Sequence, residues 1–506
     1  MTEQRDVIVI GSGIGGLSAA ASLAKAGLKP LVHEHHFLPG GNASTFRRKR
    51  MFDFDVGLHY IGGCQPGGLF PTLLKNIGIE EAVEFLPMDP DGFDTLIFPD
   101  LTFRVPAGWE RYRKRLHDAF PQEKAAADRF LEFVHAVTGS APAPAVPDVQ
   151  RRLSKPLADC TLEEVFDALE CSLRLRHVLA SFSGTYAAPP SRASAATHAG
   201  LMAHYIPSGG YFVRGGGRAL IDALVGAVEK NGGEIRLRSR VRRIIVENGA
   251  ARGVELASGE MLRANTVISN ADARRTLLEM VGREHLSRET AEKAEQGRMA
   301  LPLFVTYMAM KRDVRELGIP NTNYGVATRY NMEEQYAACY AGEIPEEPQV
   351  FISIASRKDP ESRNIAPEGY TNLQLMTVAP AAVTTWGAET GPASGGHYRH
   401  TPAYVRAKKL MEERMLAQVE RMMPGFIREV VWQESATPLT QERFTLSTGG
   451  TSYGLEHTVE QARRGRFPLA TEISGLYLVG ASTLGHGIAG TMVSGVAAAG
   501  AILSGR

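Results

Sequence analysis

The stretch that most constrains the fold of this chain lies near its start and reads DVIVIGSGIGGLSAAASLAKAGLKPLVHE, residues 6–34. The continuous apolar run at 7–10 is typical of a buried strand, and the alanine-rich run at 17–26 predicts a helix. A second strand ends at Glu34, and Pro30 must start it because proline cannot donate to a sheet ladder. The stretch therefore predicts a strand, a glycine turn, a helix and a second strand.

Three glycines of the GSGIGG turn have separate physical reasons. Gly11 permits the tight turn out of the strand, Gly13 lets the backbone approach a pyrophosphate, and Gly16 lets the helix pack closely on the sheet. The start of the helix then offers free N–H groups and the positive end of its dipole to phosphates. Glu34 follows at the distance where a carboxylate accepts hydrogen bonds from ribose hydroxyls. The context predicts a bound dinucleotide.

Composition limits the classes of function. The 56 basic and 55 acidic residues nearly cancel, which argues against nucleic acid as the main partner. A chain of 506 residues is too long for one simple core, so we expect two or more domains. The four cysteines form no CxxC pair, so no metal site is predicted. The first strand starts by residue 6 and leaves no room for a signal peptide. This start and the cysteine pattern favour a reduced, cytoplasmic location.

Two stretches bear on membrane contact. Residues 487–503 are apolar and uncharged, but they are short for a membrane span and interrupted by glycine and polar residues, so we expect a buried helix. Residues 108–120 predict a helix with basic residues around an apolar face formed by Trp109, Tyr112, Leu116 and Phe120. This pattern suits either an interfacial helix on a membrane or an ordinary amphipathic helix docked on the protein. Peripheral membrane contact is therefore a separate hypothesis.

Alternating strands and helices appear at the start, in the middle and at the end of the chain. This order predicts an α/β protein whose nucleotide-binding domain is discontinuous and comprises 1–90, 208–275 and 440–506. The inserted substrate domain, of α+β type with a helical lid, would comprise 91–207 and 276–439, with a proline- and alanine-rich linker at 141–147 and a long helix from 402 to 423.

Six motifs, in their order and spacing, resemble the FAD-dependent carotenoid desaturase, carotenoid isomerase and retinol saturase family, within the wider amine oxidase superfamily. They are the first glycine motif with Glu34, the Gly40-Gly41 doublet, FDVGLHYIGG, GGYFVRGGGRALIDAL, VISNADA and GLYLVGASTLGHGIAG. The resemblance covers nearly the whole chain. FDVGLHYIGG looks closer to the saturase and isomerase branch than to the bacterial desaturases.

The resemblance implies FAD as the cofactor, held by a Rossmann-like domain. Gly11, Gly13, Gly16 and Glu34 would hold the ADP half, Gly41 would bind on the flavin side, and the backbone of Val241 would meet the adenine. Gly480 and Gly490 would flank the flavin, and the last helix, which starts near Gly487, would direct N–H groups at the ring edge. The same set of predicted FAD-binding residues includes Gly15, Gly40, Asn42, Asn270 and Ile488.

The resemblance also implies redox chemistry on carbon–carbon double bonds of an apolar polyene, isoprenoid or long-chain lipid, as saturase, desaturase or redox-dependent isomerase. A hydride would move between a substrate carbon and flavin N5. Because such a substrate has almost no polar group, binding depends on apolar area and rate on alignment in a dry tunnel. Few catalytic side chains are needed, which fits the lack of a triad or paired carboxylates.

Four residues are candidates for proton transfer or substrate contact. His59 and Tyr60 follow Gly57 where the family places residues near the flavin ring; a hydrogen-bonded structural pair is the alternative. His486 precedes the last helix and could face the ring, or be a loop or capping histidine. Glu456, in the stretch 449–457 that could line the tunnel, is a weaker candidate, since a salt-bridged role suits it better.

Motifs that the sequence lacks bear on the route of the electrons and on the alternative functions. The RGGGRAL stretch at 214–220 lacks a preceding buried strand, so we expect no built-in NAD(P)H site and an external acceptor or donor: oxygen, a quinone or a reductase. A flavin amine oxidase is an alternative, disfavoured because Asn42 stands where that branch has arginine. A non-catalytic prenyl-binding escort protein is another, disfavoured by the intact glycine motif. Substrate identity, redox direction and oligomeric state are not encoded in these motifs.

Overall fold

The computed structural model describes residues 4–140 and 148–505, so the linker predicted at 141–147 lies outside the described residues. The strands are β1 (Gln4–Arg5), β2 (Val7–Ile10), β3 (Pro30–His33), β4 (Thr45–Arg48), β5 (Phe52–Asp55), β6 (Phe85–Pro87), β7 (Asp94–Phe98), β8 (Leu101–Val105), β9 (Tyr211–Val213), β10 (Glu234–Arg236), β11 (Val241–Glu247), β12 (Ala250–Leu256), β13 (Met261–Ala264), β14 (Val267–Ser269), β15 (Leu303–Met310), β16 (Asn323–Val326), β17 (Val350–Ser353), β18 (Thr371–Val378), β19 (Val430–Ala436) and β20 (Leu476–Leu478). The α-helices are α1 (Ile14–Lys25), α2 (Leu69–Ile77), α3 (Trp109–Ala119), α4 (Lys124–Thr138), α5 (Asp148–Arg152), α6 (Leu162–Ala168), α7 (Leu173–Leu179), α8 (Ala195–Tyr205), α9 (Gly217–Lys230), α10 (Ala273–Arg275), α11 (Arg288–Gln296), α12 (Met332–Tyr340), α13 (Ala355–Lys358), α14 (Pro402–Met422), α15 (Pro438–Thr445) and α16 (Gly487–Ser504).

A parallel five-stranded sheet in the order β10-β3-β2-β14-β20 joins the start, the middle and the end of the chain. Its apolar side chains alternate between two cores, as the two-residue period of a strand requires. Val7 and Val9 pack with α1, α9 and α16 on one face, while Ile8 and Ile10 pack against the small sheet β1-β13-β12-β11 on the other. Both faces are covered, which explains the unbroken apolar run at 7–10.

The first strand, glycine turn and helix form as the sequence predicts, with one shift at a boundary. Helix α1 starts at Ile14 rather than at residue 17, because the extended backbone of Gly13 already acts as its N-cap. Pro30 is the first residue of β3 and pairs with Val7, so its missing N–H lies at the end of the ladder.

A second, seven-stranded sheet has the order β19-β15-β18-β17-β16-β7-β8 and is antiparallel except between β16 and β7. Helix α14, predicted over 402–423 and observed from Pro402 to Met422, covers one face through Met411 and Met415. The other face carries Val305, Tyr307 and Met376. A helical layer that contains α3, α4 and α6 to α8 packs beside this sheet.

The basic helix α3 packs on the protein interior. Tyr112, Leu116 and Phe120 are buried in the helical core, and Trp109 packs partly against it. On the polar side, the guanidinium of Arg113 pairs with a neighbouring carboxylate at 2.7 Å. The interpretation of this face as a membrane-interfacial helix is therefore wrong, and the docked amphipathic helix is the form observed.

Helix α16 is only partly buried, contrary to the prediction of a buried helix. In the described part of the chain it is the single helix whose length and hydropathy would suit membrane crossing, and 33% of it is buried. Its buried residues, Met492, Gly495, Ala498 and others, pack against the apolar core around α1. The first turn of this helix is exposed because it borders an internal cavity.

The strands of the two large sheets come from different parts of the chain. All five strands of the parallel sheet lie within 1–90, 208–275 and 440–506, and all seven of the other sheet lie within 91–207 and 276–439. The functional division into a cofactor domain and a substrate domain stays a prediction.

The contact between α1 and α16 gives a test of the fold. A Cβ at Gly495 would lie inside contact distance of the Gly15 carbonyl oxygen and 3.0 Å from the Ala19 nitrogen, whereas one at Gly500 would meet nothing within 4 Å. We expect G495A to lower the free energy of unfolding by about 1–3 kcal/mol, because two helix backbones must separate. G500A, on the same helix, should be neutral or raise it by up to about 1 kcal/mol.

Urea unfolding of both variants measures the two effects. Equal stability of G495A and the unmodified protein would contradict the close helix contact.

Candidate functional site

A cavity of about 790 Å³ lies between the parallel sheet and the seven-stranded sheet. Residues at or just beyond the carboxyl ends of four parallel strands line it: Ile10, His33, Asn270 and Val479. In open α/β sheets, ligands bind in this place, outside the carboxyl ends of the strands. The side of the cavity near these ends is called the nucleotide lobe below, and the side against the seven-stranded sheet is called the apolar lobe.

Two helix N-termini border the nucleotide lobe. Gly13 caps α1 and His486 caps α16, and neither helix has a side-chain cap hydrogen bond or an acidic residue in its first turn. The first residues of both helices line the cavity. Uncapped N–H groups and the positive end of the helix dipole favour negative groups such as a pyrophosphate or an electron-rich ring edge.

Glycine lets the backbone pack closely around the Asn270 side chain where other residues would clash. A Cβ at Gly13 would lie 2.6 Å from Asn270 Nδ2, and one at Gly15 would lie 2.6 Å from Asn270 Oδ1. A Cβ at Gly480 would lie 3.0 Å from the same oxygen, and one at Gly41 would lie 3.3 Å from the Gly13 Cα. The Asn270 side chain thus fills the space between the first and the last glycine motifs. These four glycines and Asn270, called the glycine cradle below, all line the nucleotide lobe.

The Glu34 carboxylate is held firmly at the end of β3. It accepts hydrogen bonds from the Ser12 N–H at 2.9 Å, from the Ser12 hydroxyl at 2.7 Å and from the His36 N–H at 2.7 Å. An ionised carboxylate has about four acceptor sites, so one remains for a ligand hydroxyl. The predicted contact with ribose stays a prediction.

Most of the predicted cofactor residues line the cavity. These are Gly11, Gly13, Gly15, Glu34, Gly40, Gly41, Asn42, Val241, Asn270, Gly480, Gly487 and Ile488. Gly16 instead packs against the Gly11 carbonyl, in the helix-packing role predicted for it. Gly490, predicted to flank the flavin, is not on the cavity wall; a Cβ there would lie 2.5 Å from the carbonyl carbon of Gly485, so it tightens the turn before α16.

A buried polar network contains Tyr60. The Tyr60 hydroxyl donates to Asp94 Oδ2 at 3.0 Å, and Asn323 Nδ2 donates to Asp94 Oδ1 at 2.8 Å. Burial raises the pKa of Asp94 to about 6, although both hydrogen bonds oppose it. Burial and Asp94 also raise the pKa of Tyr60. Tyr60 and Asp94 both line the cavity, so a proton shared between them lies at its wall.

Lys358 is a buried cation behind this wall. It is 2% exposed, and its ammonium donates to the His59 carbonyl oxygen and to the Ser353 hydroxyl, both at 2.7 Å. Burial lowers its pKa to about 7, while the carboxylates of Asp94 and Asp55 oppose the shift. Lys358 therefore fixes the backbone that carries His59.

The two candidate histidines line the cavity in neutral form. Burial lowers the pKa of His59 to about 3, and the nearby Lys358 charge adds to the effect. Burial and the charge of Arg466 lower that of His486 to about 3 as well. The His486 ring packs 4.1 Å from the ring of His457, and although His486 is the N-cap residue of α16, its side chain makes no capping hydrogen bond. Neither imidazole is cationic near neutral pH, so donation of a proton from an imidazolium is not supported.

Glu456 does not line the cavity. Its carboxylate accepts hydrogen bonds from Arg192 at 2.7 and 2.5 Å and from the Tyr340 hydroxyl at 2.6 Å. The ion-paired alternative is therefore the observed one, although no helix starts at Glu456. Only the 451–454 part of the predicted tunnel stretch reaches the cavity.

The premise drawn from RGGGRAL is wrong. Strand β9 ends at Val213, directly before the motif, and α9 begins at Gly217. The N–H of Gly217 donates to Asp55 Oδ1 at 2.8 Å, and a Cβ at Gly216 would lie 2.7 Å from Asp55 Oδ2. A buried carboxylate thus already occupies this helix N-terminus, which leaves no room there for a phosphate.

The apolar lobe is walled by aliphatic and aromatic side chains. The seven-stranded sheet contributes Leu303, Val305, Tyr307, Phe351 and Met376, and the helical layer contributes Leu201 and Tyr205. The Tyr60 ring lies 4.8 Å from that of Tyr205 and stacks 6.0 Å from that of Phe351. Such walls bind a ligand through apolar area and exclude water.

Sequence reasoning missed three charged residues of the site: Asp55, Asp94 and Lys358. A signal for Asp94 was present in the sequence. It is a lone acid within an apolar, strand-like run, and a carboxylate buried there needs polar partners. Nothing in the sequence near Lys358 marked it, since its partner His59 is 299 residues away.

Comparison with known families identifies relatives along the whole chain. A model of the family described as flavin containing amine oxidoreductase matches residues 14–503. The all-trans-retinol 13,14-reductase of Homo sapiens is 29% identical over an alignment of 539 positions, gaps included, which covers 99% of this chain and 86% of that protein. The chloroplastic prolycopene isomerase of Daucus carota is 27% identical over an alignment of 520 positions, gaps included, which covers 98% of this chain and 79% of that protein.

Solved structures share the fold. An oxidoreductase from Methanosarcina mazei superposes over 100% of both chains with a TM-score of 0.66 at 20% identity. Cyclohexylamine oxidase from Brevibacterium oxydans superposes over 99% of both chains with a TM-score of 0.64 at 16% identity. Together with the uncapped helix ends and the glycine cradle, the family match supports a flavin as the cofactor.

The buried lysine predicts a pH dependence of stability. The pKa of Lys358 is about 7 in the folded protein against an ordinary 10.5, so the unfolded chain binds more protons between these pH values. The contribution of Lys358 to the free energy of unfolding should therefore rise with pH from about 7 upward. K358M should remove this rise, whereas K409M, at an exposed lysine of α14, should keep it.

Urea unfolding between pH values of about 6 and 9 measures the difference between each variant and the unmodified protein. A difference for K358M that does not change with pH would contradict a buried, titrating lysine.

Proposed function

The chain belongs to the flavin-containing amine oxidoreductase family, and from this premise we propose that it is an FAD-dependent oxidoreductase of carbon–carbon double bonds in an apolar polyene. The observation that carries the proposal is the form of the cavity. Its nucleotide lobe, with a glycine cradle and two uncapped helix ends, opens directly into the apolar lobe.

The relatives support a polyene substrate. One is named for the reduction of all-trans-retinol and another for the isomerisation of prolycopene, and both of these compounds are polyenes. A conjugated chain without charge fits walls such as Val305, Phe351 and Met376, which offer contact area and no ionic partner.

Bound FAD would supply hydride exchange with a substrate carbon. The residues of the chain bind the cofactor, align the substrate and exclude water from the reaction. The start of α1 and Glu34 suit the ADP half, and the N–H groups at the start of α16 suit the electron-rich edge of the ring. The apolar lobe holds the double bond in place and excludes water.

Proton handling falls to Tyr60 and Asp94 in this proposal. The Tyr60 hydroxyl lies at the cavity wall and is hydrogen-bonded to a carboxyl group whose pKa is about 6. Asp94 can accept a proton near neutral pH and return it through the hydroxyl. His59 and His486, neutral at the wall, orient the substrate rather than ionise.

We further propose that electrons reach or leave the flavin through an external partner: oxygen, a quinone or a reductase. The buried Asp55 at the start of α9 supports this, because it blocks the second glycine-rich turn as a phosphate site. We also propose a cytoplasmic location, supported by four buried free cysteines.

The purified protein tests the proposal. We expect a yellow flavoprotein that releases FAD on denaturation. Under anaerobic conditions, the chemically reduced protein should be reoxidised by a polyene, or the oxidised protein should be reduced by a more saturated analogue. Flavin reduction by amines, with no response to any polyene, would instead indicate an amine oxidase. A colourless protein that cannot be reconstituted with FAD would indicate an escort function.

The proton-transfer role predicts a split between two tyrosines that touch each other. Y60F should lower the rate of flavin reoxidation by polyene about 100-fold, because the donor to the carbon is lost. Y205F removes a hydroxyl from the neighbouring ring and should change the rate less than about threefold. Both variants should retain FAD and a similar melting temperature.

Stopped-flow spectroscopy of the flavin follows the rate in each variant. Equal rates for Y60F and the unmodified protein would remove Tyr60 from the chemistry.

A further inference from the structure

Arg466 is a buried cation behind the wall of the cavity. It is 5% exposed, and it does not line the cavity itself. Its guanidinium donates to the carbonyl oxygen of Ala481 and, at 3.4 Å, to that of Leu455. Ala481 lies on the cavity wall, in the turn between β20 and α16. The guanidinium is therefore in direct contact with the back of the wall.

Backbone contacts hold Arg466 in this place. The N–H of the next residue, Phe467, donates to the Ser482 carbonyl oxygen at 3.1 Å. The Ser482 hydroxyl accepts a hydrogen bond from the Leu455 N–H, also at 3.1 Å. The segment that contains Leu455, the turn before α16 and Arg466 thus form one connected unit.

The charge of Arg466 has no ionic partner among residues 4–140 and 148–505. Its side-chain hydrogen bonds all go to uncharged acceptors. Glu456, a buried carboxylate of the same segment, pairs with Arg192 instead. Burial lowers the pKa of Arg466 to about 10, so the guanidinium stays charged at neutral pH. A buried charge without a partner opposes folding unless an anion lies near it.

Two imidazole rings lead from the guanidinium to the cavity. His457 Nδ1 accepts a hydrogen bond from Arg466 at 3.5 Å, and its ring lies 4.1 Å from that of His486, which lines the cavity. Burial lowers the pKa of both histidines, and the charge of Arg466 lowers both further. A unit charge acts more strongly in the protein interior than in water, and the positive end of α16 acts in the same direction.

We propose that the unpaired charge of Arg466 stabilises the reduced form of the bound flavin and so raises its reduction potential. A flavin that accepts a hydride from a substrate carbon gains two electrons and one proton, and therefore one negative charge. This added charge is the anion that the guanidinium lacks. The inference rests on the proposed function, because it requires a flavin in the cavity. Arg466 acts through the wall and does not touch the substrate.

The reduction potential of the FAD-loaded protein tests the inference without turnover. Anaerobic titration with dithionite beside a reference dye gives the potential from the flavin absorbance. R466Q removes the charge and retains an N–H donor for the Ala481 carbonyl. We expect the ratio of reduced to oxidised flavin at a fixed potential to fall about tenfold, because a unit charge is lost from a low-dielectric site. This corresponds to a reduction potential about 30 mV lower for a two-electron couple.

Two further variants separate the charge from a structural role. R466K keeps the charge but alters the hydrogen bonds to Ala481 and Leu455, and it should change the ratio less than about threefold. R464Q removes the charge of an exposed arginine in the same turn and should change the ratio less than about twofold, because solvent screens that charge.

The outcomes distinguish this inference from the proposed function. A potential of R466Q equal to that of the unmodified protein overturns the role of Arg466 and leaves the proposed function standing, as does a shift for R466K as large as that for R466Q. If R466Q does not fold, a potential of the unmodified protein at or below that of free FAD overturns the inference, and a higher one supports it. A protein that binds no FAD overturns both proposals.

Discussion

The close contact between α1 and α16 is the constraint on which the rest of the structure depends. Gly495 lies against the Gly15 carbonyl, where any side chain would keep the two helix backbones apart. Because the helices touch, the turn before α16 comes to lie beside the first glycine turn, and Asn270 fills the gap between them. Two helix N-termini then meet at one cavity, which concentrates positive potential where the proposed flavin dinucleotide would place its phosphates and its electron-rich ring.

The ionisable groups at and behind the cavity wall near Tyr60 lose hydration on burial, which opposes folding. Lys358, Asp55 and Asp94 are all nearly buried, and burial shifts the pKa of each toward the neutral form. Buried ionic groups are weak evidence for stability, because desolvation offsets much of the attraction between them. Their contacts instead fix geometry: Lys358 holds the His59 carbonyl, and Asp94 holds the Tyr60 hydroxyl. The cluster therefore contributes to the placement of this segment at the cavity more than to stability.

The sequence predicts local units well and distant contacts poorly. The strand, turn and helix at 7–25 follow from apolar period and glycine chemistry, and the long helix α14 from its continuous pattern. Roles that depend on residues far apart in the chain do not follow from pattern. The carboxylate that occupies the start of α9 comes from Asp55, 162 residues earlier.

An amphipathic pattern also leaves the partner of its apolar face open, so the pattern of α3 was compatible with a membrane as well as with a protein core. The run of β15, apolar except for Thr306, gave no sign of which side chains would line a cavity, because its two-residue period is hidden when both faces are apolar. The role of Gly490 was also not predictable from its motif, because a motif glycine can make room either for a ligand or for a neighbouring turn of the backbone.

The place of β20 in the parallel sheet has a consequence for biosynthesis. Strand β14 pairs with β2 on one side and with β20 on the other, and more than 200 residues separate β14 from β20 in the chain. While the ribosome is still translating that interval, one edge of the sheet is bare and the wall that α16 provides does not exist. The wall that α16 provides can therefore close the cavity only after β20 and α16 have been synthesised, and until then the open edge of β14 is available for pairing with another strand.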